Sequence, residues 1–81
     1  MKYRMDLRGF DPKKVENILQ YSDERYFDTV TQRRIVIGRH DRVLVMIPYE
    51  QSGKKINPIT IHATTRQQIN FRLKAGRFKH G

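Results

Sequence analysis

The segment from Val43 to Ile47 limits the possible folds more than any other part of this sequence, because every residue in it is apolar. Side chains alternate between the two faces of an extended strand. Val43, Val45 and Ile47 would therefore lie on one face. Leu44 and Met46 would lie on the other. A strand with apolar residues on both faces belongs in the interior of a sheet, so we place this strand in the middle.

Four runs of the sequence alternate with a period of two and are rich in β-branched and aromatic residues. The breaks between them are short, so consecutive runs are expected to pair as antiparallel hairpins and to form a meander. Pro48 and Pro58 lack a ladder donor, so they are expected near strand ends or at bulges. The predicted strands are Arg25–Val30, Arg33–His40, Arg42–Glu50 and Lys55–His62.

Helical patterns flank the predicted sheet. Asp11 and Pro12 suit the N-cap and first position of a helix. Val15, Ile18 and Leu19 follow at the i, i+3, i+4 spacing of one helical face. The first helix is therefore predicted to run from Pro12 to about Tyr21.

A second helix is predicted after the last strand. Either threonine of the segment Thr64–Gln68 can form a capping box with a glutamine three residues later. Ile69 and Leu73 make an i, i+4 apolar pair, and Gly76 is a natural end. The whole pattern predicts an α+β fold with an N-terminal helix, a four-stranded antiparallel sheet and a C-terminal helix, both helices lying on one sheet face. We expect a single domain over residues 1–81, with residues 76–81 as a candidate flexible basic tail.

Composition excludes several kinds of site. The 81 residues include no cysteine, which excludes disulfides, thiolate metal sites and a cysteine nucleophile and fits a reducing compartment. The three histidines lack the tight spacing of metal ligands, and no carboxylate follows Glu50. No apolar leader or membrane span is visible. We therefore expect a cytoplasmic protein with no metal, no cofactor and no membrane partner.

Positive charge is concentrated in the last part of the chain. The net charge is +9, and residues 51–81 contain seven Lys or Arg but no Asp or Glu. Residues 1–50 contain ten Lys or Arg against eight Asp or Glu. A basic surface attracts polyanions, and most polyanions in the cytoplasm are nucleic acids. RNA is the partner that we favour, and an acidic protein is the alternative.

The meander predicts where the histidines lie. Alternate strands run in the same direction, so the second and fourth strands should end at one edge of the sheet, their backbones roughly 10 Å apart. If the isoleucines of these strands face the helices, both histidines face outward. The basic and imidazole residues gathered at this edge would be Arg25, Arg39, His40, Arg42, His62 and Arg66.

Such a cluster suits RNA cleavage without a metal ion, which needs a base, an acid and cations for the phosphorane. Histidine suits the first two roles because its pKa lies near neutrality. We predict His62 as general base or acid and His40 as its partner; a structural role for a histidine at a strand end stays open. Tyr26 and Tyr49 are stacking candidates, although packing is the commoner role. The predicted cations for the scissile phosphate are Arg39, Arg42 and Arg66, and those for the RNA backbone are Arg34, Lys54, Lys55, Arg72, Lys74, Arg77 and Lys79.

The order of these signals resembles the BrnT-like group of the RelE and ParE toxin superfamily. The resemblance covers residues 4–73 and includes RGFD at residues 8–11, IVIGR at residues 35–39, VLVMI at residues 43–47 and ITIHATTR at residues 59–66. It implies a RelE-like sheet with a basic face that cuts messenger RNA, often on the ribosome. It also implies a small antitoxin whose acidic or amphipathic helix covers the site.

Three functions are therefore considered. The first is a metal-independent endoribonuclease toxin of a toxin–antitoxin system. The second is a small basic protein that binds RNA or the ribosome without catalysis, and the third is a module that binds an acidic protein partner. RNA cleavage in EDTA separates the first from the second.

Overall fold

The computed structural model describes residues 9–80 of the chain; Arg8 of the RGFD segment lies outside them. Within this range, two helices and six antiparallel strands form an α+β fold. No helix among these residues is both long enough and apolar enough to cross a membrane. The elements in chain order are α1 (Pro12–Tyr21), β1 (Arg25–Asp28), β2 (Arg33–His40), β3 (Val43–Ser52), β4 (Lys55–Pro58), β5 (His62–Thr64), α2 (Arg66–Lys74) and β6 (Phe78–His80).

The sheet is organised around β3, as the apolar segment from Val43 to Ile47 predicts. The strand order is β4-β3-β2-β1-β6, and β5 also pairs with β3. The predicted helix from Pro12 to Tyr21 is confirmed, as is the strand from Arg33 to His40. The prediction of four strands is wrong in number, because the fourth run is divided into β4 and β5 and a further strand forms near the C-terminus.

A β-bulge beyond Pro58 divides the fourth run. Tyr49 of β3 lies opposite Pro58, whereas Met46 lies opposite His62. Residues 59–61 therefore occupy the space across from residues 47 and 48, one residue more than regular pairing allows. As expected for a residue without an N–H donor, Pro58 ends β4. The extra residue reverses the face on which the following side chains lie.

The two helices cover opposite faces of the sheet, so the prediction that both lie on one face is wrong. The core cluster on the α1 face includes Ile18 of α1 and Val45 of β3. The cluster on the α2 face includes Ile69 of α2 and Ile37 of β2. Ile61 belongs to the α1 cluster, although the sequence pattern groups it with the isoleucines of β2. The apolar residues on both faces of β3 are the reason, since each face needs a cover.

Residues 78–80 form β6, in place of the flexible tail that the sequence suggests. Gly76 ends α2 with a φ of 80°, and the N–H of Arg77 donates to the carbonyl of Arg72. This arrangement satisfies the last carbonyls of the helix and turns the chain back. β6 then pairs with β1, and Phe78 is buried at 2% exposure.

Gly38 of β2 lies where a side chain would collide with α1. A Cβ atom at this position would be 2.5 Å from Cγ2 and 2.8 Å from Cγ1 of Ile18. We expect Gly38→Ala to overpack the core and to lower the free energy of unfolding by about 2 kcal/mol. In an Ile18→Ala background the same change should cost less, because the clashing atoms are gone. Urea denaturation of the four proteins measures this coupling, and equal costs in both backgrounds would contradict the packing.

Candidate nucleic-acid interface

His40 is a buried residue that joins the sheet to the start of α1. Its exposure is 7%, and its Nε2 accepts a hydrogen bond of 2.6 Å from the backbone N–H of Asp11. The ring meets that of Phe10 edge to face, with 5.0 Å between centroids. Nδ1 is 3.7 Å from a carboxylate oxygen of Asp41. His40 is therefore engaged in structural contacts and does not lie on the surface where the sequence places it.

Replacing His40 tests this structural role. We expect His40→Ala to lower the free energy of unfolding by about 2 kcal/mol, because the variant loses the contact with Phe10 and leaves a partly buried N–H without its acceptor. The matched change His62→Ala removes an exposed imidazole and should alter stability by less than about 0.5 kcal/mol. Urea denaturation measures both values. Equal, small effects would show that His40 has no such role.

His62 is exposed and lies on the other face of the sheet. Its partner across the strands is Met46, which packs against the α2 cluster, whereas His40 is on the α1 side. The two histidines are at the same end of the sheet, as predicted, but the bulge places them on opposite faces. Without the extra residue, His62 would oppose Val45 and face the α1 side. The predicted acid–base pair is therefore not brought together.

Arg66, predicted to act in catalysis, is paired with a carboxylate. It is the first residue of α2, and its guanidinium makes two hydrogen bonds to Glu24, one of them 3.0 Å long from Nη2. Glu24 also accepts a hydrogen bond of 2.8 Å from the hydroxyl of Tyr26. The hydrogen bonds from Arg66 hold the pKa of Glu24 below its usual range, against the opposing effect of partial burial. The carboxylate of Glu24 therefore neutralises part of the charge that Arg66 could offer to a phosphate.

Arg77, predicted to contact the RNA backbone, is also paired with a carboxylate. Its Nη2 lies 3.1 Å from Oδ2 of Asp28, a residue with 2% exposure. Asp28 also accepts hydrogen bonds from the N–H groups of Val30 and Thr31. Burial alone would raise the pKa of Asp28, but the hydrogen bonds from Arg77 and from these two amides outweigh it and lower the pKa.

The remaining cations are spread over most of the molecule. Among residues 9–80, four Lys or Arg residues form ion pairs with carboxylates: Lys14, Arg33, Arg66 and Arg77. Ten others make no ion pair with a carboxylate of this range. They comprise Arg34 and Lys79 on the sheet, Lys54 and Lys55 at the β3–β4 turn, Arg39 and Arg42 near the β2–β3 turn, Arg72 and Lys74 on α2, and Lys13 and Arg25.

Among residues 9–80, the part of the sheet beside α1 carries exposed basic side chains. A row of directly opposed residues crosses it from β4 to β6: Pro58, Tyr49, Arg34, Phe27 and Lys79. Opposed residues in antiparallel strands point to the same face. Arg34 and Lys79 are exposed, and Phe27 is half-buried. We call the surface formed by Phe27, Arg34, Tyr49, Gln51 and Lys79 the open sheet face.

A cleft of about 450 Å³ lies on the open sheet face. Within the described residues, its lining contains two arginines and no carboxylate. A neighbouring cleft shares Phe27, Arg34, Tyr49 and Gln51 with the first cleft and continues toward the β1–β2 turn. The two clefts together form one longer groove. The lining of the first cleft includes Arg25, Phe27, Arg34, Tyr49, Gln51 and Ile56.

One wall of this cleft is held in place by the end of α1. The guanidinium of Arg25 donates to the backbone carbonyls of Leu19 and, over 3.0 Å, of Ser22. Its Cζ lies 5.4 Å from the ring centroid of Tyr49, within the range of a cation–π interaction. Tyr49 itself is only 4% exposed. These two residues therefore form a fixed wall and floor, and Phe27, Arg34 and Gln51 are more accessible parts of the cleft.

Sequence reasoning identifies Arg34 but does not single out Phe27 or Gln51. Tyr26 and Tyr49 were the predicted stacking candidates, and both are buried. The alternation of β1 places Phe27 on the same side as Arg25, and this is the signal that points to the cleft. The part of the face that stays open depends on where α1 ends.

Comparisons with protein-family models, with curated proteins and with solved structures found no match. The class of protein is therefore defined by the fold and the surface alone: a small α+β protein with a basic sheet face that no described helix or strand covers. Membership of the BrnT-like group stays a prediction.

Proposed function

We propose that this protein binds RNA through its basic surface and does not cleave it. The distribution of charge carries the proposal. Ten cations of residues 9–80 lack a carboxylate partner there, whereas the carboxylates that form no ion pair within the same residues are Asp11, Glu16 and Asp23. All three lie in or beside α1. The sheet and α2 therefore present unneutralised positive charge, which suits a polyanion.

RNA is favoured over other polyanions because of the kind of surface that carries the charge. The open sheet face combines cations with a half-buried aromatic ring, and sheets with such rings bind single-stranded RNA in several unrelated folds. We therefore expect the protein to act in the cytoplasm. An acidic protein, including the antitoxin that the BrnT-like resemblance implies, is the competing partner.

Binding without cleavage is favoured because the predicted catalytic groups are separated. His40 is buried under α1, Arg66 is engaged by Glu24, and His62 is on the far face from His40. The endoribonuclease toxin stays a prediction, and His62 is the exposed member of its predicted acid–base pair. A RelE-like assignment of the fold likewise stays a prediction.

Salt-dependent binding tests the proposal. Fluorescence anisotropy with a labelled, unstructured RNA of about 16 nucleotides should show binding that weakens with salt. About four phosphate contacts would give a slope of about −3 in a plot of log K against log salt. No binding at low salt would overturn the proposal. Co-purification with a short acidic protein that displaces RNA would favour the protein partner.

A cleavage assay separates the two RNA hypotheses. The same RNA, incubated with the protein in EDTA, should remain intact over the time of the binding experiment. Fragments that end in a 2′,3′-cyclic phosphate, formed by the wild type and lost in His62→Ala, would contradict the non-catalytic function and restore the endoribonuclease.

A further inference from the structure

We propose that the cleft on the open sheet face holds one unpaired nucleotide of the RNA, with its base against the ring of Phe27. The protein would then prefer single-stranded RNA to duplex RNA. This inference rests on the proposed function and adds to it the class of RNA and the place where a base is bound.

The order of residues across the sheet suits a nucleotide. Phe27 of β1 lies between Arg34 of β2 and Lys79 of β6 on one face. Neighbouring strands are about 4.8 Å apart, so a base stacked on Phe27 would have a cation on each side for its flanking phosphates. No carboxylate of the described residues lines the cleft to repel these phosphates.

The cleft is also formed before any ligand enters. Its volume of about 450 Å³ lies within the range of small-ligand sites, about 300–1,000 Å³. Hydrogen bonds from Arg25 to the carbonyls of Leu19 and Ser22 fix one wall, and Tyr49 provides a buried floor. A preformed site loses little conformational entropy on binding.

A duplex cannot use this site. Its bases are stacked on one another, so a ring on the protein cannot reach a base face unless the base leaves the stack. Every base has a π-face, so we expect little preference among the four bases.

An RNA that keeps its phosphates but lacks bases provides the decisive probe. We compare the affinity of the wild type for a single-stranded RNA, for the same RNA with abasic positions, and for a duplex. The abasic RNA should bind about tenfold more weakly, since stacking on an aromatic side chain contributes about 1–3 kcal/mol per base. The duplex should also bind more weakly than the single strand.

The variant Phe27→Leu keeps an apolar side chain but removes the ring. It should bind the normal single strand about tenfold more weakly and should no longer distinguish it from the abasic RNA. Phe71→Leu, which removes a ring of 71% exposure on α2, is the matched control and should bind like the wild type.

The outcomes separate the two proposals. Equal affinity of the wild type for normal and abasic RNA would overturn the nucleotide site but leave salt-dependent RNA binding intact. An unchanged affinity in a folded Phe27→Leu variant would do the same. If that variant fails to fold, the abasic comparison on the wild type still decides. Failure of the wild type to bind any RNA at low salt would overturn the proposed function itself.

Discussion

Asp28→Asn should lower the free energy of unfolding by about 3 kcal/mol at neutral pH, which is the largest stability effect that we expect from one substitution. Asp28 is buried, and Arg77 contacts both its carboxylate oxygens at 3.1–3.3 Å. The variant keeps the shape of the side chain but removes the charge that Arg77 needs. Because Arg77 precedes β6, the loss should also loosen the pairing of β6 with β1.

The pH dependence of stability provides a second test of Asp28. Its pKa is lowered in the folded protein, so the unfolded carboxyl takes up a proton first as the pH falls. The stabilisation is therefore complete above the unfolded pKa of about 3.9 and is lost as the pH falls through the lower folded pKa. Wild type should lose more stability than Asp28→Asn between neutral pH and about pH 3.

Urea denaturation at both pH values measures these effects, with Glu50→Gln as the control. Glu50 forms an exposed pair with Arg33, at 3.2 Å, and its loss should cost less than about 1 kcal/mol. If Asp28→Asn and Glu50→Gln cost the same at neutral pH, the pair of Asp28 with Arg77 does not stabilise the fold more than an exposed pair does.

Arg34→Glu should weaken the binding of single-stranded RNA at least tenfold, or about 1.4 kcal/mol, because it replaces a central cation of the open sheet face by an anion. The milder Arg34→Gln removes one phosphate contact, so the salt slope should become shallower by about 0.7. Arg34 is exposed and makes no ion pair within the described residues. Neither change should disturb the fold.

Lys13→Glu is the matched control for Arg34→Glu. Lys13 is exposed and lies in the first turn of α1, close in the sequence to the carboxylates that form no ion pair within residues 9–80. The change in net charge is the same, and a glutamate is favourable near the start of a helix. Anisotropy titrations of both variants measure the difference. Equal losses of affinity would show that only total charge matters and that the open sheet face is not the binding surface.

The bounds of α1 and β2 and the central place of β3 could be predicted, because local sequence patterns determine them. The caps and apolar spacing of α1 lie within a few residues of one another, and β2 contains a continuous run of β-branched residues from Ile35 to Ile37. For these reasons the bounds Pro12–Tyr21 and Arg33–His40 were predicted correctly. The central place of β3 followed from its apolar residues on both faces.

The faces of the site residues were not predictable, because one extra residue changes them. The bulge at residues 59–61 reverses the side on which His62 lies. Pro58 indicates a strand end or a bulge nearby, but it does not show whether an extra residue follows. The position of His40 depends on its hydrogen bond with Asp11, 29 residues earlier in the chain. A lone histidine at a strand end does not reveal such a contact.

The basic C-terminal part of the chain also forms ion pairs that its composition does not predict. It has no carboxylate of its own, but Glu24 and Asp28 from the first half pair with Arg66 and Arg77. These partners are 42 and 49 residues apart in the sequence. Charge counted along the chain therefore overstates the charge that remains available for RNA, although Lys74 and Lys79 have no such partner in the described residues.

Mapping amide chemical shifts during titration with a short, unstructured RNA locates the RNA-binding surface residue by residue. Binding on the open sheet face should produce the largest shifts in β1, in the first half of β2 and around Tyr49 and Lys79, and should leave α1 unaffected. Shifts confined to α1 or to the edge that carries His62, or no shifts at low salt, would contradict binding on the open sheet face.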